Sequence, residues 1–259
     1  MAGAPQPRVL LACDLDNTLL YSHRHAQPGD VCVEWREGHE QGNMRPLAVA
    51  LRGELGGAGI ELVPVTARSL EQYSRIRWPY KAPRTALIAG GAMCVEEGRV
   101  DTAWHEASLK LAAPYGPALA GLEARLMAHP EVELCRVVAG CTLFARCSGE
   151  AAAARLAALP GDGLVLTAHG RKPSALPPRT GKGAALDRLL HRMGDCRVIG
   201  AGDSRMDVPM LARCRAAIVP NAALAAQVGH GGCVIWNGEG AFPEFVLLSA
   251  LRLAGAHLK

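Results

Sequence analysis

Short apolar runs alternate with amphipathic segments along most of this chain. Residues 9–13 form an unbroken apolar run that reads as a buried strand. Leu47, Leu51 and Leu55 then recur at helical spacing, and Gly56 and Gly57 end that helix. Residues 60–65 read as a second strand, Leu70, Tyr73 and Ile76 as one face of a helix, and residues 86–89 as a third strand closed by Gly90 and Gly91. In the last third, Leu186, Leu189, Leu190 and Met193 mark a helix, while residues 197–200, 216–219 and 233–236 are short strands. Strands alternating with helices predict crossover units and a mainly parallel sheet.

The middle of the chain has a different pattern. Leu119, Leu122 and Leu126 share a helix face. Runs at 132–138 and 141–147 follow in quick succession, joined at Ala139-Gly140, and predict a hairpin. A helix over 151–159 and a strand over 164–168 complete what reads as an inserted α+β unit. Its edges fall near Asp101 and Leu176, dividing the chain into 1–100, 101–176 and 177–259, with 177–181 as the return linker. Between Ser22 and Pro46, Gly and Pro punctuate the chain; residues 31–36 alternate, and Glu37-Gly38 is placed to turn them into a small hairpin flap.

Composition narrows the function classes. A chain of 259 residues, 49% hydrophobic and 20% charged, suits one globular domain with a smaller second one, and not a disordered segment. The net charge of +4 is spread without a basic stripe or interleaved aromatics, so no nucleic-acid partner is expected. Nine cysteines, an odd number with no CxxC pair, argue against a zinc ribbon, a redox motif or a complete disulfide framework. Cys13, Cys141, Cys147 and Cys233 sit inside apolar runs, where cysteine acts as a small buried hydrophobe. The histidines show no HxxxH or HExxH spacing. Residues 1–8 lack the pattern of a signal peptide, and no apolar run approaches the roughly 20 residues that span a bilayer. A cytoplasmic protein without a membrane partner is the expectation.

The candidate chemistry lies at strand ends, where ligands bind in open parallel sheets. Asp14-Leu15-Asp16-Asn17-Thr18 follows the first strand, Thr66-Ala67-Arg68 the second, and Gly202-Asp203-Ser204-Arg205-Met206-Asp207 a later one. Lys182 opens the helix before that later strand and so points at the same crevice. Four carboxylates, one ammonium and two hydroxyls gathered in one place make sense around a cation and an anion. Clustered carboxylates repel without a cation. Mg²⁺ prefers hard oxygen ligands, while Lys and Thr can hold phosphate oxygens.

These four segments, DLDNT, VTAR, GKG and GDSRMD, resemble in order the four signatures of the haloacid-dehalogenase-like (HAD) phosphohydrolase superfamily. The insertion resembles the cap of the branch that contains sucrose-phosphate phosphatase and Cof-type sugar phosphatases. The resemblance implies an α/β fold, with a Rossmann-like parallel-sheet core and an inserted smaller α+β cap domain. It implies a Mg²⁺-dependent phosphatase that hydrolyses a small-molecule phosphomonoester, a sugar phosphate first, through an aspartyl-phosphate intermediate. Asp14 would be the nucleophile, and Asp16 the acid and base. Thr66 would hydrogen-bond the phosphoryl oxygens, and Lys182 would neutralise them. Asp14, Asp203 and Asp207, with the backbone carbonyl of Asp16, would hold the metal. True dehalogenases of the superfamily lack the second aspartate, so Asp16 favours phosphate chemistry.

Other residues leave two readings open. Thr18, Arg68 and Asn221 are substrate-binding candidates, yet Arg68, with Gln72 and Arg75, would also suit a solvated helix face. Lys172 competes with Lys182 for the role of the cation, and the run His169, Arg171, Lys172 faces either the substrate or solvent. A phosphomutase would use the same motifs, and a catalytically silent binding protein could keep the fold. Free phosphate release separates these from a hydrolase. The role of residues 32–44 and the oligomeric state stay open.

Overall fold

The computed structural model describes residues 8–255. The outer ends of the expected core, and with them the reading of the first residues as lacking a leader, lie outside the described residues. Strand β1 (Arg8–Cys13) is followed by a flap of β2 (Tyr21–Ser22), β3 (Val31–Arg36) and β4 (His39–Met44). Then come α1 (Pro46–Gly57), β5 (Ile60–Pro64), α2 (Leu70–Ser74), β6 (Thr85–Ile88), β7 (Met93–Glu96) and β8 (Arg99–Val100). The central stretch holds α3 (Thr102–Ala112), α4 (Gly116–Met127), β9 (Val132–Val138), β10 (Thr142–Cys147), α5 (Glu150–Ala157), β11 (Val165–His169) and β12 (Lys172–Leu176). The chain closes with α6 (Lys182–Met193), β13 (Cys196–Ala201), α7 (Val208–Leu211), β14 (Ala216–Val219), α8 (Ala222–Val228), β15 (Cys233–Ile235) and α9 (Phe242–Ala254).

The main sheet has the order β15-β14-β13-β1-β5, and each pairing in it is parallel. Period-2 alternation sorts its side chains onto two faces. Leu11 and Cys13 enter the layer shared with α1 and α9. Leu10 and Ala12 enter the layer with α6, α7 and α8. Both faces are covered, which is why β1 reads as a continuous apolar run. From β1 the chain winds to β5 on one side and to β13, β14 and β15 on the other. The order therefore reverses between β1 and β13, and their carboxyl ends flank the crevice where such folds bind ligands.

A second sheet, β11-β12-β10-β9, is antiparallel and packs one face on α4 and α5 through Leu119, Leu122, Leu126, Leu143, Ala153 and Leu156. This is the cap expected of the fold. The Ala139-Gly140 hairpin forms with φ of 52° and 66°, the two positive values that match the strand twist. Glu37 and Gly38 turn the flap the same way, at 52° and 80°.

Several elements depart from the sequence expectation. Strand β12 begins at Lys172, the last residue of the polar run, because pairing with β11 and β10 overrides the poor strand propensity of Lys172 and Pro173. Helices α3 and α9 and the β7–β8 hairpin were not anticipated. Trp104 of α3 is buried in the core layer with α6, and Phe242, Val246, Leu247 and Leu251 of α9 fill the opposite one. None of the nine cysteines, all among the described residues, is in a disulfide; Cys13, Cys141 and Cys147 are buried as expected, and Cys233 is half-buried. Among the described residues, no helix is long and apolar enough to cross a membrane.

Candidate active site

Asp14 extends β1 by one residue. Its N–H donates to Ala201 of β13 at 2.9 Å, so it sits at the reversal point of the sheet. The chain then curls: the carbonyl of Leu15 accepts the N–H groups of Leu19 and Leu20, and Asn17 takes a φ of 61°. That curl leaves Asp14 buried and Asp16 half-exposed.

Lys182 begins α6 just after Gly181, whose φ of 95° turns the chain into the helix. Its Nζ lies 2.6 Å from Asp14 Oδ1 and 2.6 Å from Asp207 Oδ1, and all three side chains are at most 9% exposed. Asp207 turns its other oxygen to the Ser204 N–H at 3.0 Å and hydroxyl at 2.8 Å. Two glycines permit this approach. A Cβ on Gly202 would lie 2.5 Å from the Asp207 Cβ, and one on Gly183 would lie 2.5 Å from the Pro209 carbonyl. Asp203 accepts a hydrogen bond from the Asn17 side chain and has His169 Nε2 of the cap at 3.9 Å.

Asp14, Asp203 and Asp207 offer oxygens that all lie within 4.8 Å of one another. Against these three carboxylates stands one ammonium, Lys182, so full ionisation would leave two negative charges uncompensated in a buried place. Burial pushes the Asp14 carboxyl up to about 8; Lys182 opposes the rise, and Asp207, Asp16 and Asp203 add to it. Burial and the Asp207 charge likewise raise Asp203. Lys182 is held above its ordinary range because its two carboxylate partners outweigh its desolvation. Hard oxygen donors with an uncompensated double charge fit a divalent cation.

Asp16 has a different environment. Desolvation would raise its carboxyl, but the Arg68 guanidinium overrides this and holds it below the usual range, with smaller help from Lys172 of the cap and Lys182. Arg68 grips it through Nη2 at 2.8 Å and Nε at 3.1 Å. The Thr66 hydroxyl, fully buried, accepts the Arg68 N–H at 3.2 Å.

Three residues expected at the substrate are enclosed or engaged by the protein itself. Thr18 is fully buried, and its hydroxyl meets no partner and no solvent. Arg68 is taken up by Asp16 and Glu34. Asn221 caps α8, its Oδ1 accepting the Leu224 N–H at 2.9 Å. Of the two candidate lysines, Lys182 bridges the cluster, while Lys172 acts on Asp16 from the cap. Arg171 is spent within the cap on Glu133 and the Cys147 carbonyl. Asn17, Ser204 and Glu34 were not singled out from the sequence. Asn17 and Ser204 sit inside the motifs, so their proximity to the aspartates was the available signal.

Between cap and core lies a cavity of about 90 Å³. Thr142, Phe144 and Thr167 line it from the cap, and Lys182, Arg205 and Met206 from the core. One wall therefore carries the ammonium of the cluster, and the opposite wall mixes hydroxyls with an aromatic ring.

No protein-family model and no curated protein sequence matches the chain. Solved structures do. The sucrose-phosphatase of Synechocystis sp. PCC6803, in complex with sucrose and phosphate, aligns at a TM-score of 0.68 with 16% identity, over 96% of this chain and 98% of that one. The HAD subclass IIB sugar phosphatase BT4131 aligns at 0.64 with 12% identity, over 96% and 99%. The HAD-superfamily phosphatase BT1666 from Bacteroides thetaiotaomicron aligns at 0.58 with 18% identity, over 98% and 97%. Over nearly its whole length, this chain has the fold of the capped phosphatases of the HAD superfamily.

Proposed function

We propose that the chain is a Mg²⁺-dependent phosphatase of small-molecule phosphomonoesters that works through a phosphoryl group carried on Asp14. The observation that supports this most is the buried cluster of Asp14, Asp203 and Asp207 bridged by Lys182, placed where the sheet order reverses and beneath the cap. The likeness to sugar phosphatases adds to it, and a sugar phosphate is the first substrate class to try. The divisions 1–100, 101–176 and 177–259 are proposed as core, cap and core.

The carboxylates of Asp14, Asp203 and Asp207, with the Asp16 carbonyl, would hold Mg²⁺, which supplies positive charge for the phosphate oxygens. An Asp14 oxygen forms a bond to phosphorus as the ester P–O bond breaks. Lys182 and the Thr66 hydroxyl steady the phosphoryl oxygens, since phosphoryl transfer rests on positioning and charge neutralisation. Arg68 holds Asp16 ionised in the resting site, so Asp16 must leave that pairing and take up a proton before giving it to the departing alkoxide. Ionised Asp16 then takes a proton from the water that attacks phosphorus and releases Asp14. The cavity under the cap would take the leaving group and exclude bulk water.

Metal dependence carries a pH signature. The raised carboxyls of Asp14 and Asp203 mean that the folded, metal-free chain binds more protons here than the unfolded one. This cluster therefore costs stability as pH climbs from the ordinary carboxylate range through about 8. A cation needs the ionised forms and displaces those protons. Added Mg²⁺ is expected to raise the unfolding midpoint more at about pH 8.5 than at about pH 5.5, and EDTA to abolish phosphate release. A midpoint indifferent to Mg²⁺ at both values would count against the metal site.

Asn221 gives a contrasting expectation. Asn221→Ala removes a helix cap and should lower stability by about 1 kcal/mol. The kcat/KM of the variant should match the wild type; a large loss would return Asn221 to the substrate site.

A further inference from the structure

Arg205 is the charged residue between Asp203 and Asp207 in the GDSRMD segment, and the chemistry at phosphorus gives it no task. It is exposed, it lines the cavity under the cap, and among the described residues its side chain makes no ion pair or hydrogen bond. Other cations at the site are spent: Lys182 bridges Asp14 and Asp207, and Arg68 holds Asp16 and Glu34. The loop under Arg205 is anchored on both sides. Its carbonyl accepts the Val208 N–H, the Ser174 hydroxyl of β12 lies 4.0 Å from Met206 Sδ, and Asp207 is held by Ser204 and Lys182. From the cap wall comes Thr142, only 3% exposed, whose hydroxyl likewise has no protein partner among the described residues. Buried hydroxyls are as a rule hydrogen-bonded, so a polar atom from outside the chain is expected to complete this one. Phe144, Val165, Leu176 and Met206 make the rest of the lining largely apolar. An apolar cavity with a few placed polar groups is the usual form of a small-molecule site.

We propose that Arg205 selects the substrate by pairing with a carboxylate on its alcohol part, so that the preferred substrates are phosphate esters of hydroxy acids or sugar acids. This rests on the phosphatase reading above and narrows it. Lys182 lines the same cavity, so one small molecule can meet both the reacting cluster and Arg205. A carboxylate suits the place better than a second phosphate does. The guanidinium offers two parallel N–H donors to a planar carboxylate and cancels its single charge. A phosphate dianion would leave one charge uncompensated among apolar side chains. Thr142 then serves a remaining polar atom of the same alcohol.

The test measures kcat/KM of wild type, Arg205→Gln and Arg205→Lys on two matched pairs of esters. One pair is glycerate and glycerol phosphorylated on the same terminal oxygen; the other is gluconate and sorbitol, likewise phosphorylated. Each pair exchanges a carboxylate for a hydroxymethyl group and leaves the ester bond alone. Wild type is expected to favour the acid by about tenfold or more in at least one pair, the scale of a hydrogen bond to a charged group. Arg205→Gln should bring that acid-to-alcohol ratio close to one, and Arg205→Lys, which keeps the charge without the fork, should retain part of it. A merely structural role would lower both esters of a pair alike and leave the ratio in place. No preference for the acid in wild type, or a preference that survives in Arg205→Gln, would overturn the inference and leave the phosphatase reading standing. So would phosphate release confined to esters without a carboxylate, or a preference for propanediol bisphosphate over both acids. Absence of Asp14-dependent phosphate release from these esters and from a wider panel of phosphorylated metabolites would overturn the phosphatase reading and the inference with it.

Discussion

Asp14→Asn is expected to reduce phosphate release by about 10⁴-fold or more, the scale on which loss of a nucleophile falls. The exchange keeps shape and volume and removes only the anionic oxygen that would bond to phosphorus. It also deletes one of three carboxylates offered to a cation, so Mg²⁺ binding should weaken alongside turnover. The measurement is phosphate release from a panel of phosphorylated metabolites, with and without Mg²⁺, beside the wild type. Wild-type turnover that survives in the variant would place the phosphoryl group elsewhere. Phosphate transferred to a second alcohol in place of release would mark a phosphomutase.

Lys182→Met should show the largest effect on stability. The methionine keeps the aliphatic stem and deletes the ammonium that lies 2.6 Å from both Asp14 and Asp207. Removing one partner of a buried ion pair leaves uncompensated charge, typically at a cost of about 3–5 kcal/mol. Here two carboxylates lose their partner at once, with Asp203 adjoining. Denaturant unfolding in EDTA should expose that loss in full, and saturating Mg²⁺ should reduce it by supplying positive charge to the same oxygens. Turnover should fall about 10²-fold or more, as for other lost electrostatic contacts to the reacting group. A variant as stable as the wild type in EDTA would mean that the cluster is neutralised by protonation and that Lys182 is not its counter-charge.

The core strands were legible because burial on both faces writes an uninterrupted apolar run, as in residues 9–13. The acidic residues were legible for a related reason. Asp14 follows directly on such a run and Asp203 comes two residues after β13, and a parallel sheet puts the ends of its strands on one edge. Strand β12 was not legible, since Lys172 and Pro173 disfavour a strand and only pairing with two neighbours makes one. Helix α9 is legible in the sequence from Phe242, Val246, Leu247 and Leu251 at helical spacing.

Side-chain partnerships divide along the same line. The sequence by itself determined the inventory: which oxygens and which ammonium stand at strand ends, in which order, and with glycines beside them. Only the tertiary structure decided how they pair. Arg68 meets Asp16 across 52 positions and Glu34 across 34, and Lys182 meets Asp14 across 168. Thr18 and Asn221 carry the same side chains that a substrate site would use, yet the curl after β1 buries one and the start of α8 employs the other. Local sequence sets what a residue can bond to; the packing of distant segments sets what comes within about 3 Å of it, and hydrogen bonds and ion pairs form only there.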